Sequence, residues 1–457
     1  MSYLLVIFGF FVLIISSLLI VMPYVRGRAD LVTAWTVFQI SCLNFLGVAS
    51  IQTGRAWTHQ YTTPRDSDYV KYALGGLAFY VTVIFTYYFF SFPDRVASRT
   101  MVKVAPRVPR VMTSLLPVCL ALTLGYVFVP NIQLLGQWMM IVGKSSAVFA
   151  VVFCFCAWAQ RPWNTWLVVL AGMFMLMAVL ASNTEFGRRD FLACLMSVPI
   201  CWYWLRGRYL SAARVGSIST VFIVIGGIAL AGVSITRHMY RNPDQSVFQA
   251  AWEKVKAIPD AFQQSGGNTD VLWGSDCAEA SLAAIRLYDH SKPTKPFLIA
   301  QYVLAHPIPR AWWPDKPDGL GRTLPIDTGW TAQHGAGNWG PGIIGHGYQE
   351  GGIPFLVFYG ILAGWGLRFF DAMLKKDPNN PYLLGIFAAA SGQLIAWCRG
   401  DVALFTATIL GVYVAGFLVN YLARLMFWTD HLGAVTVEQL PPEYAEINHS
   451  QVDWQYY

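Results

Sequence analysis

The segment from Ala305 to Gly352 reads AHPIPRAWWPDKPDGLGRTLPIDTGWTAQHGAGNWGPGIIGHGYQEGG, polar and rich in Gly, Pro and Trp. It carries His306, His334, His346, Arg310 and Arg322 within a chain otherwise built of apolar stretches. Imidazole is the side chain best suited to take a proton from a sugar hydroxyl near neutral pH. His346 lies in Gly345-His346-Gly347-Tyr348-Gln349-Glu350-Gly351, directly before an apolar run, which makes it the first candidate base; Glu350 competes for the role. His306 is flanked by proline and reads as a solvated turn, and His334 lies in a glycine-rich run. Trp312, Trp313, Trp330 and Trp339 offer faces for sugars to stack on, or else belong to an interfacial aromatic belt. The glycines from Gly335 to Gly345 admit close backbone approach to a ligand, or merely tight turns.

Three further sets of ionisable groups stand where charge is expensive. They are Gly187-Arg188-Arg189-Asp190 at a helix start, Arg399-Gly400-Asp401 in a short turn, and Lys144 near the end of an apolar helix. A charge at the bilayer centre costs roughly 3 kcal/mol or more, so such groups face a polar cavity or one another. One reading is interfacial snorkelling with local Arg–Asp pairing. The other is an outward clamp for phosphate oxygens, because the planar Arg fork matches two oxygens at once and keeps its charge in a low dielectric. A pyrophosphate-linked lipid headgroup suits such a clamp.

The elements that must position these residues are membrane helices. The chain has 457 residues, is 55% hydrophobic and only 12% charged, about half the charge of a soluble domain. Apolar runs long enough to cross a hydrocarbon core of about 30 Å recur along it. No alternating pattern of β-barrel type is present. Eleven spans are expected, near 3–23, 31–51, 72–92, 112–130, 139–159, 165–181, 190–205, 217–235, 350–368, 381–399 and 402–422. The first run has no basic residue before it and Arg26 and Arg28 after it, the reverse of a secretory signal. It reads as a retained helix with its N-terminus outside. Loop 93–111 holds Arg95, Arg99, Lys103, Arg107 and Arg110 against the single acid Asp94, which places it in the cytoplasm.

Alternation then divides the chain into an N-terminal bundle (1–235), a large outer loop (236–349), C-terminal spans (350–428) and a cytoplasmic tail (429–457). Within the outer loop, Phe248, Trp252, Val255 and Ile258 have helical spacing, Ser275 can cap a helix through Tyr288, and Pro296 can open another over Phe297–Leu304. The expected architecture is thus all-α, a bundle with a helical outer cap. Seven cysteines fall in the spans and Cys277 in the loop, none with zinc spacing, so buried small apolar residues is the reading. The net charge of +7 is dispersed and speaks against nucleic acid as partner. Without a Walker motif or dinucleotide fingerprint, a lipid-linked substrate is favoured over a soluble nucleotide, with no cofactor and no metal expected.

Pro309-Arg310-Ala311-Trp312-Trp313-Pro314-Asp315-Lys316-Pro317, then Gly340-Pro341-Gly342 and Gly345-x-x-Tyr348-x-x-Gly351-Gly352, resemble the outer loop of bacterial O-antigen and oligosaccharide repeat-unit polymerases of the Wzy type. Those read Pro-Arg-x-x-Trp-Pro-x-Lys-Pro and later Gly-Glu-x-Tyr; here His346 stands where that Glu is common. His346-x-Tyr348-Gln349-Glu350-x-Gly352-Ile353 is similar to a region of O-antigen ligases whose histidine acts as base. The landmarks are ordered over about 180–410. The resemblance implies a GT-C-type bundle in the bacterial inner membrane that acts at the periplasmic face. Its donor and acceptor would be glycans on undecaprenyl pyrophosphate, with membrane lipid around it and a chain-length regulator as an admissible partner. By that resemblance Arg188 and Arg399 match helix-end arginines that bind lipid pyrophosphate, and Arg189 and Lys144, read from their placement at helix ends, would hold it with them. Arg310, Arg322, Trp312, Trp313 and Tyr348 would position glycan, and His346 or Glu350 would deprotonate the acceptor, with inversion. An O-antigen ligase and a lipid-linked glycan transporter are the competing expectations.

Overall fold

The computed structural model describes residues 1–55, 63–100, 109–128, 136–182, 188–235, 276–331 and 339–427, together with Gln249, Glu253, Lys256 and Ala257. The amphipathic segment expected over 248–258, apart from those isolated residues, lies outside the described residues, as do Ser275, His334 and the tail from Thr429. The described residues are helical, without strands. Among the described residues, nine helices longer than one turn precede residue 236: α1 (Tyr3–Val25), α2 (Ala34–Arg55), α3 (Asp66–Phe89), α4 (Phe92–Thr100), α5 (Pro109–Phe128), α6 (Gly136–Gln160), α7 (Trp166–Ser182), α8 (Arg188–Leu205) and α9 (Ala212–Ile235). Four short ones follow, α10 (Asp276–His290), α11 (Leu298–Ala305), α12 (Leu320–Asp327) and α13 (Gly342–Glu350). The chain then returns through α14 (Ile353–Lys376), α15 (Pro381–Ile395) and α16 (Val402–Met426).

Six described helices are long and apolar enough to cross a membrane: α1, α2, α3, α6 from Ile141, α14 and α16. Shorter apolar stretches lie in α5, α7, α9 and α15. The outward faces carry large exposed apolar side chains, such as Ile7, Phe10, Ile14 and Leu18 on α1 and Ile223, Val224, Ile225 and Ile228 on α9. A surface of that kind is stable against lipid and not against water. The chain is a helical multi-pass membrane protein.

The interior is organised around α15, whose residues from Pro381 to Gln393 are all buried. It is apolar on every side, as a helix enclosed by others must be. Asn380 starts it by accepting from the N–H groups of Tyr382 and Leu383, with Pro381 in the first turn where no donor is needed. Within α2, the turn Leu43–Val48 is wound as a π-helix, a local widening that recurs near functional sites. All eight cysteines are buried and free, as expected of small apolar residues.

Helices α3 and α14 approach closely because Gly360 and Gly364 are spaced by four on α14 and face α3. A Cβ at Gly364 would stand 2.7 Å from the Val83 carbonyl oxygen, and one at Gly360 would stand 3.0 Å from Thr82 Cβ. Small residues at such spacing let two backbones meet inside a membrane, where packing rather than the hydrophobic effect drives association. Near the far end of α14, the Arg368 guanidinium takes Asp94 with two of its nitrogens and donates to the carbonyls of Tyr87 and Tyr88.

The short helices form a lid over one end of the bundle. The glycine-rich segment that holds His346 is helical (α13) and buried on its lid-facing and bundle-facing sides. A Cβ at Gly347 would stand 2.4 Å from Leu356 Cδ2, and one at Gly345 would stand 2.5 Å from Pro341 Cβ. These glycines serve close helix packing, where the sequence suggested a turn or an approach to ligand.

Gly364→Ala should lower the melting temperature of the detergent-purified protein, at a cost of about 1–3 kcal/mol, because a backbone carbonyl blocks the added methyl. Gly366→Ala on the same helix meets nothing within 4 Å and should be neutral or slightly stabilising. Equal effects of the two would refute close packing as the role of Gly364.

Candidate functional site

The lid docks on the turn between α15 and α16. The Gly342 N–H donates to the Gly400 carbonyl at 3.1 Å, and Gly342 adopts a φ of +60°. A Cβ there would stand 2.1 Å from the Cys398 carbonyl oxygen, so only glycine fits. Asp401 caps α16 by accepting from the Leu404 N–H at 3.3 Å, and its second oxygen accepts from the Gly321 N–H of the lid at 3.2 Å. His346 Nε2 faces the same carboxylate at 3.4 Å, slightly off the axis of a hydrogen bond, and both groups are buried. Burial would raise the Asp401 carboxyl, but the His346 imidazole and the two N–H groups outweigh it and hold the group below its usual range.

Beside this pair lies a cavity of about 290 Å³, enclosed by α6, α8, α15, α16 and the lid. Lys144 from α6, Arg189 from α8 and Arg322 from α12 supply its positive charge, and Asp190 and Asp401 its negative charge. Lys144 Nζ pairs with Asp190 at 2.8 Å, while the Gln393 amide donates to Asp190 at 3.2 Å and accepts from Arg189 at 3.4 Å. The Arg189 guanidinium also lies over the Phe405 ring, 4.1 Å from its centroid. Arg189 keeps its place because α15 comes close: a Cβ at Gly392 would stand 2.0 Å from the Arg189 carbonyl oxygen. Arg322 is the most exposed of the three cations and lies 3.5 Å from Asp318.

His306 also lines the cavity. It is 9% exposed, and its Nδ1 has no hydrogen-bond partner. Burial, aided by the nearby Lys316 ammonium and opposed by Asp401, lowers it to about 4, so the ring is neutral at physiological pH. Lys316 is itself buried and donates to the carbonyls of His306 and Ile308, which fixes the loop that carries this histidine. A second, mainly apolar groove of about 230 Å³ adjoins the cavity and shares Ile141 and His306 with it. It runs between α11 and α16 to the outward-facing side chains of Leu304, Leu410 and Val414.

The expected site residues are therefore divided. Lys144, Arg189 and Arg322 meet at one cavity, and His346 reaches it through Asp401. Arg399 is not among the lining residues; its guanidinium lies 5.8 Å from the Phe45 ring of the π-helical turn. Arg188 opens α8, but its side chain is outside the described residues. Glu350 is fully buried and fastens the lid instead, accepting from the Ile299 N–H at 2.7 Å and the Tyr359 hydroxyl at 2.5 Å. Tyr348 donates to the Lys71 carbonyl at 2.8 Å. Arg310 pairs with Asp318 and donates to the carbonyls of Pro314 and Lys316. Trp312 and Trp313 are exposed on the lid, whereas Trp339 is buried in it.

Sequence reading undervalued His306, taken as a solvated turn, and Gln393, which carries no charge to mark it. Asp66-Ser67-Asp68 is an Asp-x-Asp pair that the reading for a lipid-linked substrate takes to be absent; it has the spacing of a metal–nucleotide site, and Asp68 groups with Asp289 and His290. Lys71 pairs with Asp289, and Asp68 accepts from the Arg65 N–H at the start of α3, so that cluster is already bonded within the fold. No family model matches this chain, and no curated protein or solved structure is similar to it.

Glu350 gives a pH test of its structural role. Burial raises its carboxyl above the usual glutamate value, with the bonds from Tyr359 and Ile299 opposing. The folded state therefore holds that proton more tightly than the unfolded chain does. Stability is lost as pH climbs from the ordinary glutamate value through the raised one. Glu350→Gln should flatten the dependence of melting temperature on pH above about 4. An unchanged slope would show that Glu350 is not the group responsible.

Proposed function

We propose that this protein is a membrane glycosyltransferase that polymerises oligosaccharide repeat units carried on undecaprenyl pyrophosphate, at the periplasmic face of the bacterial inner membrane. The observation that carries the reading is the junction of two cavities at His306 and Ile141. One gathers three cations and two carboxylates; the other is almost wholly apolar and ends at exposed apolar side chains. A ligand that fits both has an anionic headgroup and a long hydrocarbon chain. Polyprenyl pyrophosphate has that form, and the loop resemblance adds the glycan.

In this reading Lys144, Arg189 and Arg322 hold the pyrophosphate and stabilise its charge as it leaves. Preorganised positive charge of this kind is the usual device for a phosphate leaving group. Asp401, which faces the cavity and is held ionised, receives the proton from the acceptor hydroxyl. That oxygen forms the new bond to the anomeric carbon as the bond from that carbon to the phosphate oxygen breaks, and the electron pair leaves on the lipid pyrophosphate. One displacement inverts the anomeric centre. His346 stands behind Asp401 and positions it, a change from the direct role that the loop sequence suggested. Glu350 does not line the cavity and takes no part in the proton transfer. The bundle is of the GT-C kind, with the eleven spans that the hydropathy marks.

The test is synthesis by the purified protein in detergent, from a polyprenyl-pyrophosphate oligosaccharide, without nucleotide. A ladder of lengths on the lipid supports polymerisation. Transfer of preformed chain only to a lipid A core would mark a ligase, and passage across vesicles without bond formation a transporter. Asp401→Asn keeps the capping oxygen and should lower kcat by about 10²–10⁴-fold. Arg189→Ala should weaken donor binding and slow turnover together. His346→Ala should lower kcat with KM nearly unchanged, and His346→Gln should restore part of it. Glu350→Gln should retain turnover. Wild-type rates in both Asp401→Asn and Arg189→Ala would overturn the assignment.

A further inference from the structure

A larger cavity, of about 740 Å³, opens at the opposite end of α14, where the ends of α1, α3 and α14 meet the start of α2. Buried Thr33, Trp35, Thr36 and Asp371 form its floor. Exposed Arg26, Arg28, Lys375 and Lys376 stand on its rim.

The carboxylates of this cavity are all committed to the fold. Asp371 accepts from the N–H groups of Ala34 at 2.7 Å and Trp35 at 3.1 Å, and from the Tyr87 hydroxyl at 2.8 Å. Asp94 is held by Arg368, and Asp30 accepts from the Tyr203 hydroxyl at 3.1 Å and lies 3.7 Å from Arg208. Lys376 donates to the Ser98 carbonyl at 3.4 Å. Lys375 acts on Asp371 only through space, and among the described residues no carboxylate lies within ion-pair distance of Arg26, Arg28 or Lys375. Three cations from two distant parts of the chain thus share one concavity with no ion-pair partner among the described residues.

The wall nearest the lipid adds a second constraint. Leu19, Ile20, Met22 and Pro23 of α1 line the cavity, and the same helix turns exposed Leu18, Val21 and Val25 outward beside them. A polar, cationic pocket therefore continues into an apolar surface along a membrane-spanning helix. We propose that this cavity binds the phosphate headgroup of an acidic phospholipid, with its acyl chains lying along α1. Arg26 and Arg28 present forks that match the phosphate oxygens, and Lys375 adds a point charge. The site is separate from the lid cavity and stands whether or not the proposed glycosyl transfer does.

The experiment uses the full-length protein in nanodiscs of phosphatidylcholine doped with phosphatidylglycerol, read by native mass spectrometry of retained lipid. The wild type should keep phosphatidylglycerol in excess over its bulk fraction. The combined variant Arg26→Gln, Arg28→Gln, Lys375→Gln should retain at least tenfold less. A control with equal charge removed, Arg99→Gln, Arg206→Gln, Arg214→Gln, should retain it as the wild type does. These side chains are exposed, and an unchanged melting temperature checks that each variant folds. Equal losses in both variants would reduce the effect to general surface charge and overturn the proposal. Displacement of the lipid by millimolar inorganic phosphate would assign the cavity to a soluble phosphate and overturn it as well.

Discussion

The Asp401 carboxylate is where the lid, the bundle and the candidate chemistry meet. One oxygen accepts from the first turn of α16 and faces His346; the other accepts from the lid at Gly321. A buried charge is tolerated only among well-placed donors and charges; here backbone N–H groups come from α16 and α12, and the His346 imidazole of α13 faces the carboxylate at 3.4 Å. The same demand that makes the group stable therefore fixes the lid in register. Gly319 shows how tight the arrangement is, since a Cβ there would stand 1.8 Å from Asp401 Oδ2. Removing this acid would loosen α16, the lid and the cavity wall together.

That constraint explains why the glycines of the polar segment are placed as they are. Gly340 and Gly342 lie against the carbonyls of Arg399 and Cys398, and Gly345 and Gly347 let α13 sink between α10 and α14. The helix thereby carries His346 to the carboxylate, 55 positions along the chain, without exposing the imidazole to solvent. Glu350 completes the same helix as a brace, bonded to the start of α11, which in turn ends at His306.

Much of this was legible in the sequence, and the rest was hidden for a definite reason. Apolar runs marked the long helices, because covering a bilayer demands length and hydropathy that nothing else demands. Lys144 and the Arg189-Asp190 pair stood out because charge near a helix end must find a polar partner, and they do converge on one cavity. Spacing cannot say which neighbour consumes a side chain's bonding capacity. Glu350 and Arg310 have the chemistry of site residues, yet their bonds are spent on Ile299, Tyr359 and Asp318. His306 has the opposite history. Prolines beside it suggested solvent, but Lys316 ties its loop inward and leaves Nδ1 buried beside the cavity.

The partners of the cavity cations also bear on what the cavity can do. Lys144, Asp190, Gln393 and Arg189 form one chain of contacts, so the cavity does not hold bare positive charge in a low dielectric. An arriving anion need not order these side chains, because helix packing at Gly392 and the Phe405 ring already fix Arg189. In the proposed transfer, less of the binding free energy would then be lost to reorganisation, and more would remain for the charge that develops on the leaving group. The adjoining groove acts in the same direction. Ala407, Leu410, Gly411 and Val414 of α16 line the groove at helical spacing, beside Leu404, Thr408 and Val412 of the cavity face. One helix thus borders the charge-bearing cavity, which Asp401 at its cap enters, and the apolar groove on neighbouring stripes. An amphiphile docked there would be oriented by the boundary between them, before any specific contact to its sugar is made.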